Sequence, residues 1–195
     1  MEINVKRISP EKIVFQEDPE WYKTSCLQPF EGHPDGCPNY NTTWSCPPNT
    51  PSLEESRELL NKHDYHYIIY MEINASSSKT QTQLEYSFIT NQLDMFIDDI
   101  KKKYPETTIF KSAKCRYCEG NGFGDCTCPG NPCRFPDEMW YAPESWGTNI
   151  FETMRNIGIN LEKDIKTTVR RVGMVFSNQE IDFDDFESEY PINRN

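Results

Sequence analysis

The chain has 195 residues, eight cysteines and a formal net charge of −11, from twenty Lys plus Arg against thirty-one Asp plus Glu. A chain of this length makes one domain and buries roughly 70% of its unfolded surface, so it does not need its cysteines as disulfide staples. The acidic balance excludes a binder of phosphate backbones, and no DNA or RNA partner is expected. Acidity mainly keeps such a chain soluble, and it also steers toward a basic protein partner. The opening MEINVKRISPEKIVF has no charged segment followed by an apolar one, and no run approaches the ~20 apolar residues of a membrane span. The expectation is therefore a cytoplasmic protein whose thiols stay reduced.

In chain order, short strands are expected at Ile3–Val5 and Ile13–Phe15. Residues 26–51 follow as an irregular stretch with six prolines, two glycines and the cysteines Cys26, Cys37 and Cys46. A loop this long inside a domain is functional or tied down. A helix should then start with Thr50 as its cap and Pro51 at its first position, run through Leu53, Leu59 and Leu60, and end near Lys62. The apolar and aromatic run Tyr65–Ile73 reads as a central strand covered on both faces. Leu84, Phe88, Ile89, Leu93, Phe96, Ile97 and Ile100 recur at helical spacing, with Lys101 to Lys103 in the last turn and Pro105 as the stop.

A second strand at Thr107–Lys111 completes a strand–helix–strand unit and leads into KCRYCEGNGFGDCTCPGNPCR, where Cys115, Cys118, Cys126, Cys128 and Cys133 fall within nineteen residues. The crossover should be right-handed. That loop would sit at the carboxyl end of the strand, where open α/β sheets place ligands. A helix over Pro143–Asn156 should end at Gly158, and Val169–Phe176 should add a strand. The predicted class is α+β: a small mixed sheet with a βαβ unit and an irregular cysteine-rich metal-binding cap. Within one domain, 1–195, the segments are a first cysteine loop (26–51), a helix and βαβ core (52–113), a second cysteine loop (114–136), a helix and strand (137–178), and an acidic tail (179–195) that frays or docks.

All eight cysteines lie in Gly- and Pro-rich loops rather than on helix or strand faces, so they read as ligands rather than core filler. Thiolates suit zinc, Cu(I) and iron–sulfur clusters. Only Cys115 and Cys118 make a C-x2-C pair and no histidine follows at finger spacing, so zinc is allowed but not specified. Clusters fit better: two cubanes take about eight thiolates, and their ligands commonly precede proline, as Cys37, Cys46 and Cys128 do. The ferredoxin run is absent. Cys115, Cys118, Cys133 and one of Cys126 or Cys128 can complete a four-thiolate site, leaving Cys26, Cys37 and Cys46 as a trio short of one ligand. Either the spare cysteine closes the trio or an iron stays open to substrate. His33 is a further non-thiolate candidate, although an exposed loop histidine is the commoner use. Gly120, Gly122 and Gly124 have turn spacing rather than a nucleotide fingerprint. Trp44, Trp140 and Trp146 are expected to cover the cysteine loops. No hydrolase motif is present.

The run CPNYNTTWSCPPNTPSLEE, the Cys115/Cys118 pair and Cys133-Arg134-Phe135-Pro136 resemble a small family of predicted metal-binding proteins, a domain of unknown function, from anaerobic bacteria and archaea. The resemblance spans residues 26–158 and implies metal held by these cysteines, in an iron–sulfur cluster and an anaerobic setting, with no reaction attached. The chain departs from that pattern after Cys118, where Cys126 and Cys128 arrive late. The functional expectation is an iron–sulfur protein with one or two [4Fe-4S] clusters that serves a redox partner. The alternatives are a redox enzyme with an open cluster site and a zinc-binding interaction module.

Overall fold

In this computed structural model residues 1–29, 33–162 and 167–194 are described. The elements run β1 (Ile3–Arg7), α1 (Trp21–Ser25), α2 (Leu53–Asn61), β2 (Tyr65–Asn74), α3 (Lys79–Lys103), β3 (Thr108–Phe110), α4 (Tyr117–Gly120), α5 (Ile150–Arg155), β4 (Thr168–Ser177) and β5 (Ile192–Asn193). The fold is mixed α/β, with one five-stranded mixed sheet in the order β3-β4-β2-β1-β5.

β2 is the middle strand, and its near-continuous apolar run follows from having both faces covered. Tyr67, Ile69 and Met71 point to α3, whose Ile89, Leu93, Phe96, Ile97 and Ile100 are all fully buried. Ile68 and Tyr70 point the other way, to Leu60, Trp146, Ile150 and Met154. Fully burying an aliphatic or Phe side chain is worth about 1.5–3 kcal/mol relative to exposure, so the two layers clamp the sheet strongly.

The strand–helix–strand unit is present but split. β2 and β3 are each antiparallel to β4 and so parallel to one another, with β4 inserted between them. A register of ten pairs with β2, from Tyr65↔Ser177 to Asn74↔Thr168, gives β4 the longest ladder in the sheet. The tail docks: Phe183, Phe186 and Tyr190 pack around Phe96, and β5 pairs in parallel with β1.

Four expectations are corrected. The cap of α2 is Ser52, not Thr50, because Ser52 Oγ accepts from the Glu55 N–H while the Glu55 carboxylate accepts from the Ser52 N–H, a reciprocal box that Thr50 cannot make. Leu84 and Phe88 do not belong to the buried stripe of α3; they are 62% and 48% exposed, on a face turned from the sheet. The helix expected from Pro143 is only Ile150–Arg155, because Gly147 takes φ +91° and Asn149 then caps a fresh start. Ile13–Phe15 is no strand, although Phe15 makes an isolated bridge to Thr148.

Candidate metal centre

The first cysteine loop is built on α1. Cys26 closes that helix by donating its N–H to Tyr22 O at 2.7 Å, and the Cys37 N–H then donates to Cys26 O at 2.7 Å. Only glycine permits this approach. Gly36 has φ +88°, and a Cβ there would stand 2.4 Å from Cys26 O. The chain continues through hydrogen-bonded turns, with Tyr40 N–H to Cys37 O, Asn41 N–H to Pro47 O and Cys46 N–H to Thr43 O. Asn49 Nδ2 donates to Asn41 Oδ1 and Thr43 O. The described part of this loop is therefore tied down by its own backbone and by the Asn49 side chain.

The second loop leaves β3 at Phe110. Its two ends are pinned together, the Lys111 N–H donating to Tyr141 O and Trp140 Nε1 to Ala113 O. Cys118 lies on the single turn α4, and its carbonyl accepts the Phe123 N–H. Arg134 reaches back across the loop, donating to the carbonyls of Phe123 and Asp125. The result is one small cavity lined by Cys115, Cys118, Cys126, Cys128 and Cys133, with Trp44, Tyr117, Phe135 and Met139 around it.

The two loops touch. Trp44 Nε1 donates to Asn131 O, and the Cys115 N–H donates to Ser45 Oγ at 2.9 Å. Thr43, Trp44 and Ser45 thus line the five-cysteine cavity while Cys46, the next residue, belongs to the first loop.

All eight cysteines are free thiols. Burial pushes the Cys26 thiol up to about 11, helped by the neighbouring Cys37 and Cys46. Cys46 is also raised by burial, against hydrogen bonds from the Thr43 and Ser45 hydroxyls and the nearby Lys114 ammonium. In the other group burial raises Cys115, opposed by the backbone N–H groups of Tyr117 and Trp140, with Cys133 and Cys126 adding to the rise. Cys128 is pushed up to about 12 by burial and by a hydrogen bond with Cys126. In each group burial and a neighbouring thiol thus hold two of the cysteines, Cys26 and Cys46 in the first and Cys115 and Cys128 in the second, more firmly protonated than a free thiol. A bound cation reverses this, because metal binding to such thiols releases their protons.

Among the described residues, no three Cys, His, Asp or Glu side chains converge as a ligand set for one metal ion. The structure brings together Cys115, Cys118, Cys126, Cys128 and Cys133 around one cavity, and it places Cys26, Cys37 and Cys46 as mutual neighbours. His33 is half-buried and its carbonyl accepts the Gly36 N–H. Trp44 and Trp140 flank the cysteine loops, whereas Trp146 does not. It is fully buried against Phe15, Phe110 and Phe176 on the far face of the sheet.

Thr43 and Ser45 were not singled out in the sequence, and Arg134 appeared there only as part of the Cys133-Arg134-Phe135-Pro136 element. The two hydroxyl residues flanking Trp44 just before Cys46 were the available signal, as was the arginine directly after Cys133. A wider groove of about 1000 Å³ runs beside the five-cysteine cavity, lined by Asp94, Asp98, Lys111 and Trp140, and sharing Arg116 and Tyr117 with that cavity. Lys111 is 3% exposed. Its ammonium is held 2.5 Å from Asp98 and 3.9 Å from the centre of the Trp140 ring.

No described helix is long and apolar enough to cross a membrane. A family model described as "Predicted metal-binding protein (DUF2284)" matches residues 6–177. No curated protein and no solved structure matches the chain.

Proposed function

The chain belongs to the DUF2284 family of predicted metal-binding proteins, and on that footing we propose that it is a cytosolic iron–sulfur protein that carries electrons for a larger redox enzyme. The observation that carries this reading is that five cysteines of one loop line a single small cavity, with three more grouped as neighbours in the other loop. The donor set fits: these are soft, unbridged, buried or half-buried thiols, with no carboxylate or imidazole among the residues around the cavity.

Cys115, Cys118, Cys133 and one of Cys126 and Cys128 would hold one [4Fe-4S] cluster, and Cys26, Cys37 and Cys46 would hold a second. When bound, such a cluster supplies reversible one-electron storage. The chain's own part is to bury the sulfurs under Trp44, Tyr117, Phe135 and Met139 and to aim the N–H groups of Trp44, Tyr117 and Trp140 at them. Both burial and hydrogen bonds to sulfur set a cluster's potential. The two cysteine loops together form a cap on a single domain, and the acidic surface favours a basic redox partner.

A second reading has an observation of its own. The groove beside the five-cysteine cavity shares Arg116 and Tyr117 with it, which leaves room for a substrate next to that metal centre and favours a redox enzyme.

The test is iron, zinc and acid-labile sulfide per chain in protein purified without oxygen. About eight iron with matching sulfide supports two cubanes, and about four supports one. Cys37→Ser should then remove the first loop's share alone, and Cys118→Ser the second's. Zinc without sulfide would overturn the redox reading and leave an interaction module.

A further inference from the structure

Half of the strongly exposed large apolar side chains among the described residues stand on α3: Leu84 is 62% exposed, Phe88 48% and Met95 54%. With the exposed Asn91 they recur at steps of four, three and four residues, on the side opposite the stripe that α3 buries against the sheet. Steps of three and four hold one line of a helix toward a neighbouring helix. On a chain of net charge −11 that line is also uncharged. From Thr80 to Leu93 only Glu85 carries a charge; its Oε1 accepts from Gln81 Nε2 and its Oε2 is buried. Two acidic chains repel one another unless they meet through a face of this kind, and a basic partner gains nothing from it.

We propose that α3 carries the interface of a homodimer, two copies packing antiparallel along Leu84, Phe88, Asn91 and Met95. The line reads the same from both ends. About a two-fold axis between Ile89 and Thr90, Leu84 of each copy lies opposite Met95 of the other, and Phe88 opposite Asn91. The same axis sets Asp98 opposite Gln81, beside the positive N-terminal end of the second α3. A parallel pair would instead bring Asp98 and Asp99 against their own copies. The interface reaches the groove beside the five-cysteine cavity, because Asn91 and Asp98 also line that groove. Phe88 and Gln81 of the second copy then stand at its rim, so each copy completes a wall of the other's groove. None of this depends on metal.

The test is sedimentation velocity of the reduced full-length chain between ~1 μM and ~1 mM, the span over which so small an interface dissociates. Wild type should pass from monomer to dimer across it. Phe88→Glu should weaken association at least ~10-fold, by losing an apolar contact and setting a carboxylate in the seam. Leu27→Glu, at an exposed apolar site outside α3, should leave it unchanged. Opposite charges read the orientation. Leu84→Lys and Met95→Glu should each weaken the dimer. The double variant Leu84→Lys/Met95→Glu sets lysine opposite glutamate at both ends of the seam, and should associate more tightly than either single variant. All these side chains face solvent in one copy, so the substitutions spare the fold of the monomer.

A wild-type chain that stays monomeric throughout that span overturns the proposal and leaves the face to a different protein. A dimer untouched by Phe88→Glu lies elsewhere on the molecule and overturns it as well. A double variant weaker than both singles overturns the antiparallel pairing, because in a parallel pair lysine meets lysine and glutamate meets glutamate.

Discussion

β4 carries a glycine where it crosses beneath α3, and replacing it tests how closely the layers pack. Gly173 pairs with Ile69 in the centre of the sheet. A Cβ at Gly173 would lie 2.4 Å from Ile97 Cδ1 and 2.7 Å from the Phe110 carbonyl oxygen. To restore ordinary contact, the Ile97 methyl would retreat by about 1 Å and the β3 carbonyl by about 0.7 Å. Ile97 is fully buried and β3 is hydrogen-bonded to β4, so neither moves freely. Overpacking of this kind costs about 1–3 kcal/mol. The stiffer unfolded chain offsets about 0.4–1 kcal/mol of it. Gly173→Ala should therefore destabilise by about 1–2 kcal/mol and lower Tm by about 2–8 °C for a chain of this size. The assay is thermal unfolding of the reduced, metal-free chain, with Gly120→Ala as control because a Cβ there meets nothing within 4 Å. Ile97→Val removes the clashing methyl, so the double variant should be less destabilised than the sum of the two singles. A Tm for Gly173→Ala at or above wild type refutes the reasoning. Strict additivity would remove Ile97 as its cause.

Two further outcomes follow from the same packing. Ser52→Ala removes the side-chain half of the α2 capping box and should cost about 1 kcal/mol, read as a lower urea midpoint with an unchanged slope. His66 is 2% exposed and must donate from Nε2 to the Leu60 carbonyl, which leaves Nδ1 buried without a partner and lowers the pKa of the ring through burial. The unfolded chain then binds the proton more readily than the folded one, so stability is full above the unfolded value of ~6.5 and falls as pH drops below it. Urea unfolding at pH 7.5, 6 and 5 should show that decline, and His66→Leu should flatten the part due to this ring. An identical decline in the variant would assign it to other groups.

The proposed metal centre was legible in the chain to an uneven degree. That seven of the eight cysteines sit outside helices and strands could be read directly, because proline, glycine and the absence of any helical or alternating period mark irregular backbone within a few residues, whereas the single turn α4 that carries Cys118 was too short to leave a period. Their grouping could not. Cys128 meets the backbone of Trp44, and Cys115 meets Ser45, across separations of roughly eighty and seventy residues. No local period records such a contact. Arg134 looked like an element of a motif, and only its reach to the Phe123 and Asp125 carbonyls gives it the task of holding the loop in shape.

The same division runs through the fold. The sequence by itself determined β2, whose unbroken apolar run requires two covered faces, and the existence of α3, whose three- and four-residue spacing makes one buried stripe. It also determined where α3 stops, since Pro105 and the preceding lysines act within a turn or two. The tertiary structure decided the rest. β4 enters between β2 and β3, Trp146 serves the far face of the sheet, and the acidic tail inserts Phe183 and Phe186 beside Phe96. These outcomes depend on which distant surfaces fit one another. Backbone preferences act over a few bonds, whereas burial rewards any complementary apolar surface wherever it lies in the chain.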